Sequence, residues 1–224
     1  MNSREIFAET VLFELGPLPV TQTMVTSLAI SLVLVGLAVL LARAVRQDLM
    51  SMPGLAGAMV VESLDGLVAD VVGQPIPWLT TFSGSLFLFI AGSNILGQLP
   101  GVKTPAASLA TTSALAIVVF LAVPVAGIRA KGSWGYLRHY FTPNPLLFPL
   151  HLLSEFTRTF ALSVRLFGNM MSGHLVVALL VALAGMIVPA PLMALDLLIG
   201  ILQAYIFAIL TTVYVGAAVR TGEE

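Results

Sequence analysis

Cysteine is absent from the chain, and charge is scarce. Without cysteine there is no disulfide, no thiol nucleophile and no thiolate metal site. Charged residues make up only 9% of the 224 positions, against 58% hydrophobic ones, whereas a soluble domain carries about 25% charge. That leaves too little polar surface to clothe a water-soluble globule, and the mean hydropathy of +1.01 agrees. A chain this apolar needs lipid as its solvent. The net charge is −1, so nothing points to nucleic acid as a partner. No G-x-x-x-x-G-K-[ST] loop and no H-E-x-x-H motif occurs, and His139, His151 and His174 lack metal-ligand spacing. The sequence therefore calls for no metal, no cofactor and no catalytic site of its own.

Sparse charge makes the rest legible, because the charges punctuate the apolar runs. The opening MNSREIFAETVLFEL mixes three glutamates with one arginine, unlike a secretory or transit signal, and reads as a short, exposed, amphipathic segment. Uncharged runs predict membrane helices at about 20–42, 78–99 and 104–128. A long helix at 146–184 and a last one at 192–219 follow, separated by Gly185, Pro189 and Pro191. Segment 50–72 carries Glu62, Asp65 and Asp70 among apolar residues at helical spacing, which predicts a helix lying at the interface. The expected fold is all-α in a single integral membrane domain, with about five membrane-embedded helices, one interfacial helix and a long, strongly tilted antiparallel hairpin at the end. With the N-terminus outside, Arg43, Arg46, Arg129, Lys131, Arg138 and Arg220 fall inside and only Arg4 and Lys103 outside. That distribution favours an outer N-terminus and a cytoplasmic C-terminus, and makes 129–145 a solvated basic loop.

Five spans leave some polar residues inside the bilayer. Arg165 is the most costly, at about 2.5–3.5 kcal/mol for a mid-membrane arginine on the insertion scale. No acid lies near it in its own helix, so a functional counter-ion role outweighs a structural ion pair. At 100° per residue, His151, Glu155, Arg158, Arg165 and Asn169 fall within about 80° of arc, with Leu162 and Ser172 on the same stripe. Glu155 and Arg158 also have the spacing of a local i,i+3 pair. His174 points roughly the other way, ~13 Å further along the axis. Across an antiparallel hairpin centred near Gly185, Arg165 comes level with Gln203 and His174 with Asp196. A His–Asp pair in lipid suits a proton relay near neutral pH, and otherwise serves as an interhelical hydrogen bond. Asn94 and Gln98 read as interhelical glue.

The segments R-L-F-G-N-M-M-S-G-H at 165–174 and L-Q-A-Y-I-F-A-I-L-T at 202–211 resemble the two signature segments of ATP synthase subunit a. Weaker resemblance takes in M-P-G at 52–54, S-N-I-L-G-Q-L-P-G at 93–101 and K-G-S-W-G-Y-L-R-H-Y-F-T-P at 131–143, so it covers most of the chain from about residue 20. The family implies the ion-translocating stator of a rotary, F-type ATP synthase in a bacterial inner membrane. On that resemblance Arg165 faces the carboxylates of the c-ring and separates two offset half-channels for protons or sodium ions. Asn169, His174, Asp196 and Gln203 would line the hairpin and the outer half-channel, with His151, Glu155, Arg158 and Ser172 as further lining. ATP chemistry would belong to another subunit, and peripheral stalk (b-type) subunits and membrane lipid would be further partners.

Two departures stand out. Relatives often carry an acid where His174 stands and a histidine where Asp196 stands, so the pair is exchanged here. The stretch P-A-A-S-L-A-T-T at 105–112 also lacks the Asp and Asn of many relatives, so little polar contribution is expected from helix 104–128. Together with the short N-terminus, these features resemble the alternative (N-ATPase-like) bacterial enzymes. The rival reading is a stand-alone ion channel or secondary transporter, and a scaffold without transport is a third. No internal repeat supports the rival, and a lone arginine makes a poor cation site.

Overall fold

The computed structural model of the chain describes residues 11–15, 18–47, 51–74, 76–98, 104–141, 148–185 and 188–220. Two short strands come first, β1 (Val11–Leu15) and β2 (Leu18–Thr21), paired antiparallel with an irregularity between Val11 and Phe13. Six long helices follow: α1 (Gln22–Gln47), α2 (Met52–Val72), α3 (Pro77–Gly97), α4 (Leu109–Phe141), α5 (Phe148–Ala184) and α6 (Ala190–Arg220). A 3-10 turn at Pro105–Ala107 precedes α4. Five of the helices are long and apolar enough to cross a membrane, and α2 with its three acids is not among them. The protein is thus helical and polytopic, with one terminal hairpin that the charge pattern did not suggest. Residues 1–10 of the expected amphipathic start lie outside the described residues.

Local chemistry sets the helix boundaries. Ser51 caps α2 by accepting from Gly54 N–H at 3.2 Å, and Gly73, at φ 82°, closes it with its N–H on Ala69 O. Pro77 opens α3, where the missing N–H costs nothing. Pro105 opens the 3-10 turn in the same way and delays α4, which was expected from 104, until Leu109. At its far end α4 runs well beyond the expected 128. Gly132 sits in a non-helical conformation (φ 74°, ψ 159°), and helix resumes after it to Phe141. Much of the expected loop 129–145 is therefore helical: Gly132 ends the first, membrane-length helix near the expected point and a second helix follows across the kink, while residues 142–147 lie outside the described residues. Gly185, at φ 76°, ends α5 at the break read from the sequence, its N–H reaching Val181 O.

Packing is organised around α6. It lies antiparallel to α3, on rungs formed by Gln98 with Asp196, Asn94 with Gly200 and Ser83 with Thr212. Two buried clusters flank this seam. One joins Leu86 and Ile90 of α3, Leu162, Leu166 and Met170 of α5, and Phe207 of α6. The other joins Val68 and Val72 of α2, Leu79 of α3, Val123 of α4 and Val215 of α6. Close approach relies on small residues: Gly57 lies under Leu41 and Val45, Gly84 under Leu64, and Gly216 under Val72. Small residues at interfaces are how membrane helices gain contact when lipid supplies no hydrophobic drive. With 37 and 31 residues, α5 and α6 are about 55 and 46 Å long, well over the ~30 Å hydrocarbon core, so they tilt, kink or extend past it in a bilayer.

Candidate functional site

The antiparallel hairpin of α5 and α6 has the register read from the sequence. Asp196 lies directly over Gly173, one residue from His174, and the Arg158 guanidinium stacks 4.3 Å from the ring centroid of Tyr214. A Cβ on Gly173 would collide with the Asp196 carboxylate. Glycine is thus what lets an acid from α6 lie flat against α5.

Asp196 and His174 share one crevice, lined also by Asn94, Gln98, Thr104 and Met170. Among the described residues no hydrogen bond links the two directly. Each is held from the α3–α4 side: Gln98 Nε2 donates to Asp196 Oδ2 at 3.3 Å, and Thr104 Oγ1 meets His174 Nε2 at 3.3 Å. Thr104 is buried, and it fits because Gly97 beneath it has no side chain. The segment from 104 onward thus supplies a polar group, against the expectation from P-A-A-S-L-A-T-T. The missed residue is the threonine before the proline, and no local pattern marks it. Its role comes from the chain folding back over Gly97.

One turn away along the α3–α6 seam, Asn94 Nδ2 donates to Gly200 O at 2.7 Å. Asn94 and Gln98 are interhelical glue as read, and Gln98 also reaches a titratable group. Ser93 Oγ, Asn94 Oδ1 and Gln203 Nε2 are buried with no hydrogen-bond partner. By the register of the rungs these atoms sit within about a turn of one another, and side chains lean toward their own helix N-terminus, so Asn94 and Gln203 lean together.

Arg165 has a different environment. It is exposed on α5, and among the described residues it makes no ion pair or hydrogen bond. Gln203, expected level with it, is buried, only 6% exposed. The two are not joined. Beside Arg165 the exposed stripe carries Ala161, Gly168 and Ser172, and nothing lies within 4 Å of where a Cβ on Gly168 would be. The single polar face drawn from the helical wheel is in fact split. Its Leu162 edge is buried in the core because α4 packs there, with Ser113 and Ser163 hydroxyls 3.2 Å apart, while its Arg165–Ser172 edge is open. Asn169 lies between, half-buried. Glu155 and Arg158 form a 3.4 Å i,i+3 pair. The side chain of His151 lies outside the described residues.

These features define a polytopic helical membrane protein that keeps ionisable groups within its last two helices, where they are costly. A family model described as ATP synthase A chain matches residues 23–216. The chain is 43% identical over 213 residues to ATP synthase subunit a 2 of Bradyrhizobium sp. strain BTAi1, covering 94% of each. It is 40% identical over 217 residues to subunit a 1 of Hahella chejuensis, covering 96% of this chain and 91% of that one. It is also 40% identical over 218 residues to subunit a 1 of Chlorobaculum parvum, covering 96% of each. The chain belongs to the ATP synthase subunit a family. It is accordingly a multi-pass stator subunit of the Fo sector, working in the inner membrane in complex with other Fo subunits.

Proposed function

We propose that this chain passes protons or sodium ions between two offset half-channels and the carboxylates of a c-ring, with Arg165 as the fixed charge that forces the path through the rotor. The exposed, uncompensated guanidinium of Arg165 on α5 carries this reading. A lone cation on a membrane-embedded face is too costly to leave against lipid, so an acidic partner belongs on that face. Ala161, Gly168 and Ser172 leave room there for another helix to come close. A guanidinium stays charged at any accessible pH. An arriving ring carboxylate therefore gives up its ion opposite Arg165 and takes another after passing it, and direct leakage between the half-channels is blocked by the same charge.

In this proposal the crevice of His174 and Asp196, with Asn169 and Gln203, belongs to the outer half-channel, and the Glu155–Arg158 end to the cytoplasmic one, with His151 and Ser172 as further lining of the path. The N-terminus lies outside and the C-terminus inside, α2 lies along the cytoplasmic interface, and the partners are the c-ring, b-type peripheral stalk subunits and lipid. The exchanged His174–Asp196 arrangement keeps one acid and one imidazole facing a single crevice, which is the chemistry a relay needs. The test is ATP-driven ion uptake into inverted membrane vesicles carrying the intact complex or Arg165→Ala. Uptake should vanish in the variant while assembly and ATP hydrolysis persist. Near-normal uptake would make Arg165 structural and overturn the proposal.

A further inference from the structure

The two titratable groups of the crevice do not touch by any hydrogen bond among the described residues, yet each has one neutral partner from the same neighbouring segment. Gln98 ends α3 and reaches Asp196; Thr104 opens the 3-10 turn and reaches His174. Both contacts depend on features that serve no other evident purpose. Gly97 is bare where Thr104 packs, and Gly173 is bare where Asp196 packs. The 3-10 turn itself is anchored, with Pro105 and Ala106 buried, and Ala106 sits in the main core cluster. Thr104 is thus presented by a fixed piece of backbone and not by a loose loop. Asn94, one turn before Gln98, is tied to Gly200 O at 2.7 Å, which locks the register that brings Gln98 level with Asp196. Among the described residues His174 and Asp196 are the crevice's only titratable side chains on α3, the 3-10 turn, α5 or α6.

We propose that Gln98 and Thr104 are the positioning residues of this ion path: Gln98 fixes the Asp196 carboxylate and Thr104 fixes the His174 imidazole, so that the two act as separate stations facing one crevice. The inference rests on the outer half-channel reading above. A carboxylate held by an amide N–H presents its other oxygen in a defined direction, and an imidazole held at Nε2 has its ring plane fixed by the hydroxyl, which can pair with either tautomer. Ion transfer then uses the two groups as separate stations, with no direct His–Asp hydrogen bond between them among the described residues. The amide and hydroxyl do not titrate. Their part is to keep the distance and the angle.

The experiment uses the whole ATP synthase complex in inverted vesicles and measures ATP-driven ion uptake while the pH of the lumen and of the outer medium is varied separately. The variants are Gln98→Met, Thr104→Val and Thr104→Ser. Methionine and valine keep the packing volume and remove the hydrogen bond, whereas serine keeps the hydroxyl. The expected result is a displacement of the lumen-side pH profile by about half a unit or more in Gln98→Met and Thr104→Val, with a fall in rate of about tenfold, the loss expected for one hydrogen bond to a charged group. Thr104→Ser should retain the parent profile. An unchanged lumen-side profile in both Gln98→Met and Thr104→Val overturns the proposal, as does a displacement confined to the opposite side. If Gln98→Met fails to assemble, the contrast between Thr104→Val and Thr104→Ser decides alone. Uptake that survives Arg165→Ala would instead remove the half-channel reading, a separate outcome read in the same vesicles.

Discussion

Gly173→Ala tests the geometry of the crevice with a single methyl group. The Cβ it adds would meet the Asp196 carboxylate at a distance no real side chain tolerates, so Asp196 must swing off α5 and release Gln98 Nε2. Overpacking of this kind costs about 1–3 kcal/mol, and the lost charge-assisted bond adds about 1.5–3 kcal/mol where it is fully forfeited. Against this, alanine in a helix gains up to about 1 kcal/mol over glycine. The costs overlap, since one movement relieves the clash and breaks the bond, and the net expectation is roughly 2 kcal/mol against the docked hairpin. That corresponds to about a thirtyfold fall in the equilibrium constant for the docked arrangement. Gly36→Ala is the control, because a Cβ there meets nothing within 4 Å and only the propensity gain remains. The assay compares initial rates of ATP-driven uptake and the thermal stability of the purified complex for both variants. If Gly173→Ala pumps like Gly36→Ala, Asp196 does not lie over Gly173 and the reasoning about the crevice is refuted.

Two further outcomes follow from the same structure. Arg158 stacks on Tyr214 while paired to Glu155, so a double-mutant cycle of Arg158→Ala and Tyr214→Leu on complex thermal stability should give a coupling of about 0.5–1 kcal/mol. Additive losses would mean that the stacking contributes nothing. Ser93 Oγ is buried and unpartnered, so Ser93→Ala should be neutral or stabilising by up to about 1 kcal/mol in the same melt. A clear loss would show that the hydroxyl holds a bound water.

The membrane helices were readable because charge is expensive in lipid: each gap between Arg43, Lys103, Arg129 and the prolines became one span. The hairpin register was readable because Gly185 breaks the pattern and residues equidistant from it meet. Less visible was everything that depends on a third helix. The helical wheel put Leu162, Arg165 and Ser172 on one stripe, yet α4 covers the Leu162 edge and leaves the others open. Period alone cannot say which part of a stripe a neighbour will cover. Gln203 was matched to Arg165 by depth, but depth does not fix rotation: Gln203 is buried while Arg165 is exposed. Thr104 was overlooked because its partner is 70 residues away and its only local mark is the proline beside it. The β1–β2 hairpin was missed because its short strands follow an acidic, irregular segment in which neither period is sustained.

Three of the polar contacts in this bundle join residues far apart in the order of synthesis. Asn94 waits 106 residues for its acceptor, Gln98 waits 98 for Asp196, and Thr104 waits 70 for His174. While α3 and the 3-10 turn are being made, Asn94, Gln98 and Thr104 still lack these partners, and the acid that Gln98 will hold does not yet exist. The crevice closes only when the final helix threads in antiparallel to α3 and its glycine passes under Asn94. The crevice is thus lined by side chains from segments made at different times, and a chain interrupted before α6 has no Asp196 to complete it.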